Sequence, residues 1–368
     1  MSKLARRTTY AAIGALWIAA AAAGALSGLV RSLGPAPLGD NLELSTTVLD
    51  RDGTLLRAYL TQEGRWRLPA AREDVDPRFL EALLAYEDKR FFSHPGIDPL
   101  AMTRAAYQLA SQGQIVSGGS TITMQVARLL KPRRKRSLYA KFRQAVRGLQ
   151  LERALDKDEI LSLYLTLAPY GGNLEGIRAA SLAYFGKEPR RLTLGETALL
   201  VALPQSPEYR RPDRYPEHAR AARNRVLDRI AGSGLFSAAE LAHAKQEPVP
   251  DARKPMPLSA PHAADEARSA SNGARIIRLT IDGRLQRRLE RLALERAAAL
   301  GEAMSAAIVV VENATGEVLT RVASPDYFNV RRAGQVDLTR ALRSPGSALK
   351  PFIYGLGFED GLVHPETL

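Results

Sequence analysis

Residues 77–99 read PRFLEALLAYEDKRFFSHPGIDP. Asp76 ahead of Pro77 marks a helix start, because an aspartate side chain accepts from the first free N–H groups and a proline at the first helical position has none to lose. The spacing predicts a helix over Pro77–Phe92. Leu80, Leu83 and Leu84 form its apolar stripe, and stepping on by three or four residues reaches Glu87 and Phe91. A carboxylate on the buried face has its charged form disfavoured, which suits general-base work; the plainer alternative is a structural Glu paired with an arginine. His94-Pro95-Gly96 then breaks the helix and leaves Glu87 near a cleft edge, and Asp98 before Pro99 starts the next one.

Helical periods continue to about Ala231, with Thr193 and Glu196 as a capping box, so this region reads as an all-α domain of about eight short helices. Ahead of it, Ser45–Asp50 and Thr54–Leu60 alternate around Arg51-Asp52-Gly53, a hairpin signal. Behind it, residues 248–275 are rich in Pro, Ala and Ser, as in a linker. Beyond the linker, Ile276–Ile281 reads as a strand and Leu285–Leu300 as a helix. Ala306–Glu312 and Glu317–Ala323 read as a hairpin about Asn313-Ala314-Thr315-Gly316, giving a mixed α/β start. The expected divisions are 1–34, a juxtamembrane β element at 35–72, the helical domain at 73–247, the linker at 248–275 and a second domain from 276 to 368.

With 52 Lys and Arg against 39 Asp and Glu, the 368-residue chain carries a net charge of +13, which favours anionic partners without choosing among them. It has no cysteine, so disulfides, thiolate metal sites and cysteine nucleophiles are excluded. Tyr10–Val30 is almost unbroken small and apolar sequence, preceded by Lys3, Arg6 and Arg7. About 20 such residues span a bilayer, whereas the apolar part of a signal peptide runs to about 7–15. A retained single-pass anchor is therefore expected over a cleaved signal peptide, with the basic leading end cytoplasmic and the bulk of the chain periplasmic at a bacterial inner membrane.

A second stretch, Gly118-Gly119-Ser120-Thr121-Ile122-Thr123-Met124-Gln125-Val126-Ala127-Arg128, brings a glycine pair into a helix. Thr121, Gln125 and Arg128 fall on one face, and free N–H groups with the positive dipole end suit a phosphate. A capped amphipathic helix with a solvated face is the competing reading. The basic run of Lys131, Arg133, Arg134, Lys135, Arg136, Lys141, Arg143 and Arg147 fits anionic lipid or a lipid-linked pyrophosphate; nucleic acid is disfavoured by the expected location outside the cytoplasm.

These motifs together resemble those of the family 51 peptidoglycan glycosyltransferases, which share a lysozyme-like helical fold. The resemblance runs on through Lys157–Gly171 with Ile160 and Tyr164, through GIRAASLAYFGK at Gly176–Lys187, and through LTLGETALLVALPQSP at Leu192–Pro207, covering about residues 45–231. The detailed wording is similar to that of class A penicillin-binding proteins of the 1C type. The fold implied is mainly α, a lysozyme-like domain after a transmembrane helix, followed by the start of an α/β transpeptidase domain.

The resemblance implies polymerisation of lipid II. Glu87 would be general base for the acceptor's 4-hydroxyl, and lipid pyrophosphate would leave with inversion, held by Lys141, Arg128, Ser120, Thr121 and Gln125. Asp88, Phe91, His94 and Gln144 complete the implied substrate-binding set. A divalent cation, Mg or Mn, would accompany the pyrophosphate, with no protein metal site. Partners are lipid II, the growing glycan strand and the inner membrane. The sequence departs from the family at Gln144, where a second Glu is usual, and at Leu129 and Thr166, where asparagines are usual; Glu152 corresponds to a separate structural Glu. A lysozyme-like hydrolase or lytic transglycosylase, and a non-catalytic scaffold that binds lipid II, remain alternatives.

In Ser344-Pro345-Gly346-Ser347-Ala348-Leu349-Lys350, the SxxK spacing puts a serine and a lysine one turn apart if Ser347 begins a helix. Behind a glycosyltransferase-like domain this resembles the penicillin-binding transpeptidase motif, implying Ser347 as nucleophile, Lys350 as its base, and acylation by β-lactams in a full-length protein. Only 18 residues follow Lys350 and the two further motifs of that fold are missing, so an incomplete, inactive transpeptidase domain is expected.

Overall fold

The computed structural model describes residues 30–112, 119–131, 137–342 and 344–367, with the isolated positions 17, 24 and 28. Most of Tyr10–Val30, together with Gly118 and the run Arg133–Arg136, lies outside the described residues. Among the described residues no helix is long and apolar enough to cross a membrane. The chain divides into two units, residues 1–47 with 58–257, and residues 48–57 with 258–368.

The first unit is mostly helical. Its helices are α1 (Pro77–Glu87), α2 (Pro99–Gln112), α3 (Ile122–Leu130), α4 (Leu138–Ala154), α5 (Lys157–Leu167), α6 (Ile177–Phe185), α7 (Leu194–Ala202), α8 (Pro216–Ala231) and α9 (Ala238–Gln246). They pack as two groups: α1, α7, α8 and α9 form one, and α3, α4 and α5 the other, with α6 touching both α5 and α7. Phe79 and Leu83 of α1 and Leu199 and Leu200 of α7 are buried in the first group, and Ile122, Val126, Leu151 and Ile160 in the second. Each such side chain contributes about 1.5–3 kcal/mol by leaving water.

Capping follows the expected residues. Asp76 accepts from the Arg78 N–H at 2.9 Å and from the Leu192 N–H at 3.0 Å, so one carboxylate both starts α1 and fastens the loop before α7. The capping box of Thr193 and Glu196 is formed, and Asp98 accepts from the Ala101 N–H at 2.9 Å at the start of α2. Helix α1 is shorter than its periodicity predicts. It stops at Glu87, because Asp88 turns to an extended φ of −157°, and Phe91–Ser93 forms a separate 3₁₀ turn.

The strands β1 (Thr47–Leu49) and β2 (Leu55–Ala58) fall in the expected hairpin, whereas β3 (Trp66–Arg67), β4 (Pro169–Gly171) and β5 (Leu174–Glu175), all ahead of α6, occur where no strand was expected. Strand β5 pairs parallel with β3 and antiparallel with β4. The chain can turn there because Gly171, at φ +100°, has Arg211 Cγ only 2.5 Å from where a Cβ would stand. Glu175 on β5 accepts from Arg65 at 2.6 Å and from Arg67 at 2.5 Å, which anchors this small sheet.

In the second unit, β1 and β2 join β6 (Ile276–Arg278) in the order β2-β1-β6. The hairpin expected to be juxtamembrane thus clusters with the carboxyl-terminal part of the chain. The segment read as a linker contains a helix, α10 (Pro261–Ala270), with Pro261 at its first position, where proline favours a helix rather than breaking it. Leu56, Ala260, Ala263 and Ile281 form the buried cluster. Helix α11 (Gly283–Leu300) packs on β8 (Val318–Val322), which pairs with β7 (Ile308–Val311) in the expected hairpin. Helix α12 (Lys350–Glu359) buries none of its residues.

Candidate active site

Glu87 is the last residue of α1, and its carboxylate is half-buried between the two helix groups. Gln125 of α3 donates its Nε2 to Glu87 Oε2 at 3.0 Å, and Gln205, in the turn after α7, donates its Nε2 to Oε1 at 2.8 Å. Neither donor is charged. The two amides orient the acid without neutralising it, and among the described residues Glu87 forms no ion pair with an arginine. Arg210 donates to Gln205 Oε1 at 3.1 Å and to the Ala202 carbonyl at 2.6 Å.

The neighbouring groups that the resemblance assigns to the substrate make contacts within the protein. Buried Asp88 accepts from His94 Nε2 at 2.9 Å and from the Ile122 N–H at 3.0 Å. The Gly96 N–H donates to His94 Nδ1 at 3.1 Å, which leaves Nε2 as the nitrogen that faces Asp88. Thr121 accepts from the Met124 N–H and donates to the Gly96 carbonyl at 2.6 Å. Gly96 sits at φ +90° with Glu152 Cγ 2.8 Å from a would-be Cβ, so no other residue fits there. Phe91 is buried, with the Lys157 ammonium 4.5 Å from its ring centre. Lys157 also bonds Glu152 at 2.6 Å, and Glu152 accepts from the Thr123 hydroxyl at 2.6 Å.

At the amino-terminal end of α3 the Ile122 N–H donates to the Asp88 carboxylate, which places a negative charge at the positive end of the helix dipole. Cationic side chains lie nearby. A cavity of about 600 Å³ borders Glu87 and Ser120, with Lys89, Arg104 and Arg229 on its wall. A second, smaller cavity of about 70 Å³ lies between α3 and α4 and is lined by Arg128, Lys131, Arg143, Gln144 and Arg147. Lys141 is exposed on α4. Arg147 differs from the rest of the basic run: it donates to the Leu33, Gly34 and Pro35 carbonyls, so its charge fastens that segment to α4.

Asp98, which carries α2, is pushed up by burial, but hydrogen bonds from Arg90 and the Ala101 N–H and the charge of Arg90 hold it below its ordinary value. The Tyr164 hydroxyl is fully buried with no partner among the described residues, and burial followed by the negative field of Glu87 raises its pKa well above the usual phenol range. In the second unit, Ser347 lies in a 3₁₀ turn over Gly346–Leu349 and Lys350 starts α12, so the one-turn spacing holds. Both are exposed.

Gln205 and Arg210 were not singled out from sequence. Gln205 lies within the quoted LPQSP stretch, but only the packing of α7 against α1 brings it to Glu87.

The helical unit thus holds one oriented acid at a cation-lined cavity, and residues 52–231 match the transglycosylase family model. Residues 306–368 match the model of the penicillin binding protein transpeptidase domain. The chain belongs to the transglycosylase family, in the domain order of class A penicillin-binding proteins. It is 46% identical over 356 residues to penicillin-binding protein 1C of Escherichia coli, covering 96% of this chain and 46% of that protein. To penicillin-binding protein 1F of Bacillus subtilis it is 30% identical over 344 residues, covering 89% and 47%. The chain spans about half the length of these curated relatives.

Proposed function

We propose that the helical unit is a peptidoglycan glycosyltransferase that polymerises lipid II, with the growing strand on its lipid pyrophosphate as donor and the sugar of lipid II as acceptor. Support comes above all from Glu87, an acid aimed by two neutral amides at a cavity large enough for a sugar and walled by cations. Glu87 takes the proton of the acceptor's 4-hydroxyl as that oxygen bonds to the donor's anomeric carbon. The bond from that carbon to the pyrophosphate breaks on the opposite face, its electron pair leaves with the lipid pyrophosphate, and configuration inverts.

Arg128, Lys131 and Lys141 carry the charge of the leaving group, an electrostatic and positioning contribution rather than a proton transfer. Ser120, on the cavity wall, supplies a hydroxyl to the same substrate. Gln125 acts on Glu87, while Asp88, His94 and Thr121 hold the α3 end in place. Among the described residues no group of three or more His, Asp or Glu converges on one point. A divalent cation would enter with the pyrophosphate as part of the substrate.

The reading takes residues 73–247 as the catalytic domain on the periplasmic side and Tyr10–Val30 as its single-pass inner-membrane anchor. Ser347 and Lys350 belong in it to a transpeptidase site that β-lactams acylate once the rest of that domain is present. Lipid II supplied to the 368-residue chain in lipid vesicles should yield lengthened glycan. Shortening of sacculi with no lengthening would instead make it a hydrolase, and lipid II binding without turnover a scaffold.

A further inference from the structure

Resting on the transferase reading, we propose that Arg210 is a positioning residue for Glu87 and acts through Gln205. A glutamine amide can lie either way round, and the choice here is fixed by its neighbours. The Arg210 guanidinium has donors only, so the side of Gln205 facing it must be the carbonyl oxygen, which accepts at 3.1 Å. The Nε2 group is thereby turned to Glu87 Oε1, at 2.8 Å. The reversed amide would set an oxygen against a carboxylate and its NH₂ group against a cation, losing both bonds. Arg210 is itself held by the Ala202 carbonyl at the end of α7, at 2.6 Å.

Gln205 is an exposed side chain at the end of a short 3₁₀ turn, where rotamer freedom is otherwise large. Arg210 removes that freedom. With Gln125 on Oε2 and Gln205 on Oε1, the plane of the Glu87 carboxylate is set from two elements, α3 and the turn after α7. One lone pair on each oxygen is left for an incoming hydroxyl. Losing one of the two donors lets the carboxylate turn, which lowers the fraction of bound complexes in attack geometry without removing any group that touches the substrate.

The test is steady-state lipid II polymerisation by the 368-residue chain in vesicles, with melting temperature as a check on folding. Arg210→Met should lower kcat roughly 10- to 100-fold, the scale of a misplaced reacting group, with KM changed less than about twofold. Arg210→Lys, also donor-only, should recover most of the loss. Gln205→Leu should match Arg210→Met, and the double variant should be no slower than either, because the two residues act as one chain. Should Arg210→Met fail to fold, Gln205→Leu at its exposed position carries the test alone. The proposal is overturned if kcat is unchanged in Gln205→Leu, if the loss appears in KM, or if Lys gives no rescue. Glu87→Gln is run alongside the unsubstituted chain: no lengthening of glycan by the unsubstituted chain sinks the transferase reading itself, turnover surviving in Glu87→Gln sinks the general-base role of Glu87, and a dead Glu87→Gln beside a normal Gln205→Leu sinks only the positioning role.

Discussion

Glu87 and Ser347 are two candidate reactive groups with opposite surroundings. Glu87 is met by side chains from α3 and from the turn after α7, and the α3 end beside it is fixed by Asp88 and His94. Ser347 has the right spacing to Lys350, but α12 exposes Phe352 at 70% and Ile353 at 60%, and among the described residues none of α12 is buried. Spacing along one helix places two groups one turn apart. A working site needs further elements to orient them, exclude water and supply donors where charge develops.

The largest effect that would break this contrast is at Glu87. Glu87→Gln keeps size and can keep hydrogen bonds, but it cannot accept the proton, so polymerisation should fall about 10²- to 10⁴-fold with melting temperature nearly unchanged. A smaller effect on rate, or a large one on stability, would mean that Glu87 is scaffolding like its neighbours.

Asp88 should behave in the opposite way. Asp88→Ala strands the Ile122 N–H and the His94 Nε2, both buried, at a cost of about 1–3 kcal/mol for each unsatisfied group. Denaturant unfolding should show a total loss of about 2–6 kcal/mol. Asp88→Asn should fall between, since its amide can accept from one donor but opposes the other.

A smaller effect is expected from pH. The folded-state pKa of Asp98 lies below its ordinary 3.8, so the bond to Arg90 and the cap on α2 add stability above that value, and the gain disappears as pH falls through the folded value. Wild type should be more stable than Asp98→Asn at pH 7, and the two unfolding curves should approach each other as pH falls below the ordinary 3.8 toward the folded value. A difference that stays constant down to pH 2 would show that Asp98 acts through shape alone.

Local signals were legible wherever the chemistry is local. The caps at Asp76, Asp98 and Thr193, the hairpin about Asn313 and the approach of Glu87 to a cleft all depend on residues within a turn or two of each other. What could not be read depends on distant partners. Asp88 takes the α3 end from 34 residues away, and Gln205 reaches Glu87 across 118. The same holds for the hairpin of β1 and β2, whose third strand, β6, begins at Ile276. The α10 helix was missed for a different reason: a Pro- and Ala-rich stretch reads as linker unless the proline stands at the first helical position, where its fixed φ helps the helix form.

The smallest expected effect sits at the other pole of the comparison. Ser347→Ala removes one exposed hydroxyl with no hydrogen-bond partner among the described residues, so the 368-residue chain should keep its stability within about 0.5 kcal/mol. The unsubstituted chain should also take up little fluorescent penicillin, because a thiol-free serine activated only by an exposed, fully solvated lysine has neither a desolvated base nor fixed donors for the acyl oxyanion. Measured labelling at the level of a full-length class A penicillin-binding protein would show that the SxxK turn suffices without enclosure. The contrast with Glu87 would then lie in the type of chemistry rather than in the number of elements that surround it.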